Sequence, residues 1–161
     1  MGNFYTDVIE KDPRFHSLTP IHDTGLLEPR FRAAVIGIIA EAKVAGTTLV
    51  ILETYRSQAR QAELYAQGAT QLQRVGCHGY GLACDLGISI GGQVNWKADY
   101  SVLQALAAKY RVVWGGDWAE PSQPHSFRDY DHVQGIDVAD QPKLFSGTWY
   151  PDAAYVPSEV G

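Results

Sequence analysis

The chain has 161 residues, 45% hydrophobic and 19% charged, the size and apolar content of one compact globular domain. Its formal net charge of -5 argues against the attraction to phosphates on which sequence-independent nucleic-acid binding depends. Two cysteines, Cys77 and Cys84, with no CxxC pair, exclude a disulfide framework and a structural zinc ribbon.

The amino terminus, Met1 to Arg14, carries Asp7, Glu10, Lys11 and Asp12 and has no apolar stretch leading to a small-residue cleavage site, so no secretion signal of the usual form is expected. Between Glu28 and Gly46 the apolar residues Phe31, Val35, Ile38, Ile39 and Ala42 recur at helical spacing, with Pro29 suited to the first turn and Gly46 to the stop. The longest apolar run, Ala33 to Ala40, is closed by Glu41 and Lys43, far short of the roughly 20 residues of a membrane span. It reads as a buried helix. Thr47 to Thr54, β-branched and aliphatic, predicts a buried strand that delivers Tyr55 and Arg56 to its end. Ser57 can cap a helix running to Gln67, with Gly68 as terminator.

Ala69 to Gly81 reads as a loop, Leu82 to Ile90 as a strand and Gly91-Gly92 as a turn. A helix is predicted from Tyr100 to Tyr110, then a strand at Arg111 to Trp114, a proline-containing surface loop from Gly115 to Arg128, and a strand at Tyr130 to Gln134. After Gly135 the composition turns to Pro, Gly, Asp and Ser with scattered aromatics, which suggests a tail wrapping the domain. No regular βαβ alternation is present. The expected class is therefore α+β: a single domain over 1–161, with a central antiparallel sheet flanked by helices, a motif-bearing core at about 26–135 and a tail at 136–161.

A hydrolytic zinc site needs three protein ligands and an open position for water, with nitrogen and oxygen donors preferred. His78 and Asp85 lie seven residues apart in His78-Gly79-Tyr80-Gly81-Leu82-Ala83-Cys84-Asp85, where glycines let the backbone turn tightly and Ala83 lets another element approach. The third ligand would be His132 in Asp129-Tyr130-Asp131-His132. In an extended segment Asp129 and Asp131 face away from His132, so Asp129 reaches the site only if the strand begins or bulges near Tyr130.

These residues resemble the zinc D-alanyl-D-alanine carboxypeptidases and L-alanyl-D-glutamate endopeptidases, the family that includes vancomycin-resistance dipeptidases and phage endolysins. The His-x-x-Gly-x-Ala-x-Asp motif runs from His78 to Asp85, and Arg-Ser-x-x-x-Gln appears as Arg56, Ser57 and Gln61, followed by Leu64-Tyr65 and Gly68. Trp114-Gly115-Gly116-Asp117-Trp118 followed by Asp129-Tyr130-Asp131-His132 is similar to the endolysin branch, in which an acidic residue three before the last histidine is the base. The likeness spans about Leu26 to Gln134. It implies one zinc per chain on His78, Asp85 and His132, Asp129 as general base and acid, and substrate contacts from Arg56, Gln61 and Ser57. It further implies a monomeric peptidoglycan stem-peptide hydrolase, most similar to L-alanyl-D-glutamate endopeptidases, made in the cytoplasm and reaching the wall after lysis or by nonclassical export. The rivals are a D-alanyl-D-alanine carboxypeptidase and a noncatalytic zinc-containing wall-binding module.

Gly76 stands where family members often carry a serine, and the Trp118–Asp129 interval holds a longer insert with Pro121, Pro124 and His125. Several residues keep two readings. Asp131 rivals Asp129 as base, and Arg56 can instead form a surface pair with Glu53 or Asp99. Gln61 can be a solvated or capping helix residue. Cys77 and Cys84 are read as two small, partly buried thiols rather than zinc ligands or a disulfide. Trp114 and Trp118 are groove or core residues, Asp117 stabilises the Gly-Gly turn, and His16, His22 and His125 default to the surface.

Overall fold

The computed structural model describes residues 2–158 except Gln71 and Ser126. Helix α1 spans Pro29–Val44 and strand β1 Thr48–Glu53; α2 follows at Gln58–Ala66 and β2 at Ala83–Ile90. A tight turn leads to β3, Gln93–Val94, then α3, Val102–Lys109, β4, Val113–Trp114, β5, His132–Gln134, and α4, Gln141–Phe145. The strands form one antiparallel sheet in the order β1-β2-β5-β4, with β3 folded back onto β2. This is the expected α+β class.

Helix α1 starts where the Glu28 carboxylate accepts from Phe31 N at 2.9 Å and Pro29 occupies the first turn, so the missing proline N–H costs no helical bond. Its buried face, Phe31, Ala34, Val35, Ile38 and Ala42, packs with α3 residues Leu103 and Ala107 on one side of the sheet. Leu86, Ile88, Cys84, Val133 and Trp114 meet them from the strands. Burial of these side chains is the main force closing the domain, at ~25 cal/mol per Å² of apolar surface removed from water. The other face of the sheet therefore remains for polar side chains.

Register decides which ones. Asp85 pairs with His132 across β2 and β5, and Ala83 pairs with Gln134 two residues along, so all four share a face while Cys84 and Val133 point into the core. On the other edge of β2 a bulge between Ile51 and Glu53 sets Glu53, rather than Leu52, opposite Asp85. One extra residue thus adds a carboxylate to the polar face.

Several boundaries differ from the sequence expectations. Arg111 has φ 57, so the chain leaves α3 through a left-handed residue and β4 shrinks to Val113–Trp114. Strand β5 begins at His132 rather than Tyr130. The 115–128 loop contains a 3-10 turn at Gly115–Asp117 and a bridge between Glu120 and Gln123. The amino-terminal segment, unassigned from the sequence, forms a π-helical turn at Tyr5–Ile9 and packs Ile9, Phe4, Tyr5 and Phe15 around Tyr55. The tail builds helix α4 and a small second core in which Leu144, Trp149, Tyr150 and Tyr155 surround Cys77, Leu82 and Ile136. Among the described residues, no helix is long and apolar enough to cross a membrane.

Candidate metal centre

The turn at Cys77–Tyr80 that carries His78 ends on Gly81 at φ 72, a left-handed conformation in which an added Cβ would also meet the Leu26 carbonyl. The residues following β1 clamp His78 twice: its Nδ1 lies 2.7 Å from the Thr54 carbonyl, and its own carbonyl accepts from Arg56 N at 3.2 Å. Nδ1 therefore carries the proton, leaving the Nε2 lone pair facing Asp85 Oδ1 at 3.2 Å.

His132 is held in the same way from β5. Its Nε2 lies 2.9 Å from Gln134 Oε1, and the Gln134 amide is fixed because its Nε2 donates to the Ile136 carbonyl and to Gln141 Oε1. The His132 Nε2–H thus points outward, and Nδ1 faces Asp85 Oδ1 at 3.1 Å. Both imidazoles direct their protons away from the centre, so two nitrogen lone pairs and a carboxylate oxygen converge within 4.8 Å of one another. Three acceptors in one buried place repel unless a cation or proton sits between them. This donor set fits a zinc ion, with a three-residue N, N, O shell that leaves a further position open. Without the cation the site draws on protons instead. Although burial opposes its charging, the neighbouring Asp85 carboxylate raises the His132 pKa, while the two imidazoles hold Asp85 well below the usual carboxylate range against the opposing effect of its burial.

Asp129 and Asp131 come from the turn that precedes β5. Asp129 N donates to the Gly115 carbonyl at 3.0 Å and His132 N to the Asp129 carbonyl at 3.4 Å, so the chain curls instead of alternating. Gly115 is required there, since a Cβ would collide with the Asp129 carbonyl. Carboxylate oxygens of Asp85, Asp129 and Asp131 consequently lie within 4.8 Å of one another. Burial, then the Asp129 and Asp85 carboxylates, pushes the Asp131 carboxyl up to about 9.

Arg56 enters the centre from the other side. Its Nη2 lies 3.3 Å from Asp85 Oδ2 and 2.7 Å from Glu53 Oε1, and Nη1 donates to Gln61 Oε1 at 3.1 Å. Glu53, one of the two partners proposed from the sequence, is buried, so the pair is internal; Asp99 instead accepts from Ser101 N at 2.9 Å. Gln61 is 1% exposed and not a solvated helix residue: its Nε2 donates to the Leu72 carbonyl at 2.7 Å while its oxygen steadies Arg56. Ser57 does not line the cleft. Its hydroxyl accepts from Arg60 N to cap α2 and donates to the Ser17 carbonyl, so the expected substrate contact is replaced by a helix start.

A cleft of about 660 Å³ opens over these groups. Leu64, Thr70, Leu72, Arg74 and Val75 line it, as do Trp118, His125 and Phe127. His125, a surface residue by expectation, stacks on Trp118 with ring centroids 4.1 Å apart and an interplanar angle of 6°, and Trp118 in turn lies 4.8 Å from the His132 ring. Trp114 belongs to the core, its indole N–H bonded to the Tyr130 carbonyl at 2.7 Å. Cys77 and Cys84 are free and buried rather than partly so; burial pushes the Cys77 thiol up to about 12, and neither belongs to the His-Asp-His cluster. Thr54, Gln134 and Gln141 escaped sequence reasoning: the Thr54 carbonyl reaches His78 from 24 residues away, and Gln134, although only two residues from His132, reads as an ordinary strand residue until its bonds to His132 and Gln141 are seen.

No family model matches the chain. Several solved structures share its fold. An LD-carboxypeptidase, LdcB, shares it at a TM-score of 0.54 and 20% identity over 75% of this chain and 71% of that one. A vancomycin-resistance D,D-pentapeptidase, VanY from a VanB-type cassette, solved with Zn(II), shares it at 0.51 and 15% identity over 74% and 78%. In sequence the chain is 28% identical over 144 residues to the peptidoglycan L-alanyl-D-glutamate endopeptidase CwlK of Bacillus subtilis (strain 168), covering 76% of this chain and 83% of the relative. The chain is thus similar in sequence to an L-alanyl-D-glutamate endopeptidase and in fold to peptidoglycan carboxypeptidases.

Proposed function

We propose that this protein is a zinc-dependent peptidoglycan peptidase that hydrolyses the bond between L-alanine and D-glutamate in the stem peptide. The observation that carries the reading is the convergence of three metal-type lone pairs from His78, Asp85 and His132, with Asp129 and a guanidinium on either side of them. The likeness to CwlK supports the choice of bond. Zinc bound there would supply Lewis acidity to the scissile carbonyl and lower the pKa of water.

The chain's own residues account for the rest. Asp129 takes the proton of the attacking water and returns it to the leaving amine, as the general base and acid. Arg56, held in one orientation by Glu53, Gln61 and Asp85, offers its remaining Nη1 N–H to the negative charge that develops on the carbonyl oxygen. Thr54 and Gln134 keep both imidazoles in the tautomer that faces the centre. The protein acts as a monomer on the wall after its release from the cytoplasm.

A second reading, removal of a terminal D-alanine, is favoured by the fold shared with carboxypeptidases. Digestion of purified cell wall, with and without a chelator, separates the two. New glutamyl amino termini that vanish on chelation and return with zinc are expected; release of free D-alanine alone would overturn the endopeptidase reading.

A further inference from the structure

Four arginines line the cleft, and three of them are partnered. Arg56 and Arg60 share Glu53, and Arg128 binds Glu120 and the Gly116 carbonyl. Arg74 is exposed on the cleft wall and has no ion pair or side-chain hydrogen bond among the described residues. Its backbone is nevertheless tied down on both sides. Gln58 accepts from Val75 N at 2.8 Å and donates to the Gln73 carbonyl at 3.2 Å, while Gln61 holds the Leu72 carbonyl at 2.7 Å. All three bonds anchor the segment to α2, whose N-cap, Ser57, follows directly on Arg56.

A guanidinium presented from a pinned segment, with no protein carboxylate to neutralise it, suits a ligand anion; its planar fork matches a carboxylate in particular. The substrate of the proposed reaction carries one close to the cut. A glutamyl residue whose amine lies in the scissile bond, and one of whose carboxyls continues the peptide, retains the other carboxyl free. We propose that Arg74 is a specificity-determining residue that binds this free carboxylate and so seats the leaving side of the substrate. The inference rests on the endopeptidase reading.

The test uses two synthetic stem peptides that differ only in whether that glutamyl carboxyl is free or a primary carboxamide, with kcat/KM and fragment masses measured on the zinc-loaded protein. The wild type is expected to prefer the carboxylate by about tenfold or more, the scale of a charge-assisted pair. Arg74→Gln should lose the preference through a raised KM for the carboxylate peptide alone, and Arg74→Lys should fall between. A wild type without preference, or an Arg74→Gln variant that keeps it or slows both peptides equally, overturns the proposal. If the wild type leaves the alanyl-glutamyl bond of both peptides intact, the endopeptidase reading fails, and titration of the carboxylate peptide then decides the role of Arg74. Weaker binding by Arg74→Gln than by the wild type upholds it, and equal binding overturns it.

Discussion

Gln134 stands two residues beyond His132 on β5, on the same face of the sheet, with its side-chain oxygen 2.9 Å from His132 Nε2. Because two further bonds fix the Gln134 amide, this contact sets the His132 tautomer. Gln134→Leu should fold but bind zinc about 10–100-fold more weakly, the usual cost of removing a partner behind a metal ligand. Competition against a chromophoric chelator measures this, and an unchanged affinity would remove Gln134 from the account.

Replacing His78, Asp85 or His132 with alanine should abolish near-stoichiometric zinc and nearly all activity, since a three-ligand centre has no redundancy. Elemental analysis of the three purified variants, each checked for native circular dichroism, tests the ligand set. Full zinc content in any of them would exclude that residue.

Asp131 predicts a pH dependence in the metal-free protein. Its folded pKa, about 9, lies above the ~3.9 of an unfolded aspartate. Stability from this group is thus fully present below pH ~4 and is lost as pH rises towards 9, because the unfolded chain gives up a proton that the folded one retains. Urea midpoints of the metal-free protein should fall across that window, and less steeply in Asp131→Asn. Parallel curves for the two proteins would contradict the assignment.

Arg56 reaches Glu53 through Nε and Nη2, Asp85 through Nη2 and Gln61 through Nη1, a planar fork that a lysine ammonium cannot reproduce. Arg56→Lys should therefore retain zinc while kcat/KM falls by about tenfold or more, as for loss of a donor to developing charge. Unaltered kinetics would leave Arg56 a structural residue of the Glu53 pair.

Much of this arrangement was legible in the sequence because it is local. The β-branched run before Arg56, the Ser57 cap and the helical spacing between Glu28 and Gly46 each depend on near neighbours, and each element lies within two residues of where it was expected. The bulge that brings Glu53 to Asp85, the Thr54 carbonyl behind His78 and the stacking of His125 on Trp118 arise from register and from packing between distant segments. Period-two reasoning placed a strand at Tyr130 to Gln134 and brought Asp129 to the site only through a strand start or bulge near Tyr130; the close approach of Asp129 to Gly115 instead curls that stretch into a turn, delays the strand to His132 and brings both aspartates to one place.

That turn is where the proposed mechanism is most exposed, since Asp129 and Asp131 both lie beside Asp85 and only one can be the base. The decisive measurement is kcat/KM on a stem peptide, alongside zinc content, for Asp129→Asn and Asp131→Asn. The account predicts that Asp129→Asn keeps its zinc and loses about 10²–10⁴ in rate, the usual contribution of a positioned general base, while Asp131→Asn loses far less. Full turnover by Asp129→Asn together with an inactive, zinc-loaded Asp131→Asn would contradict it.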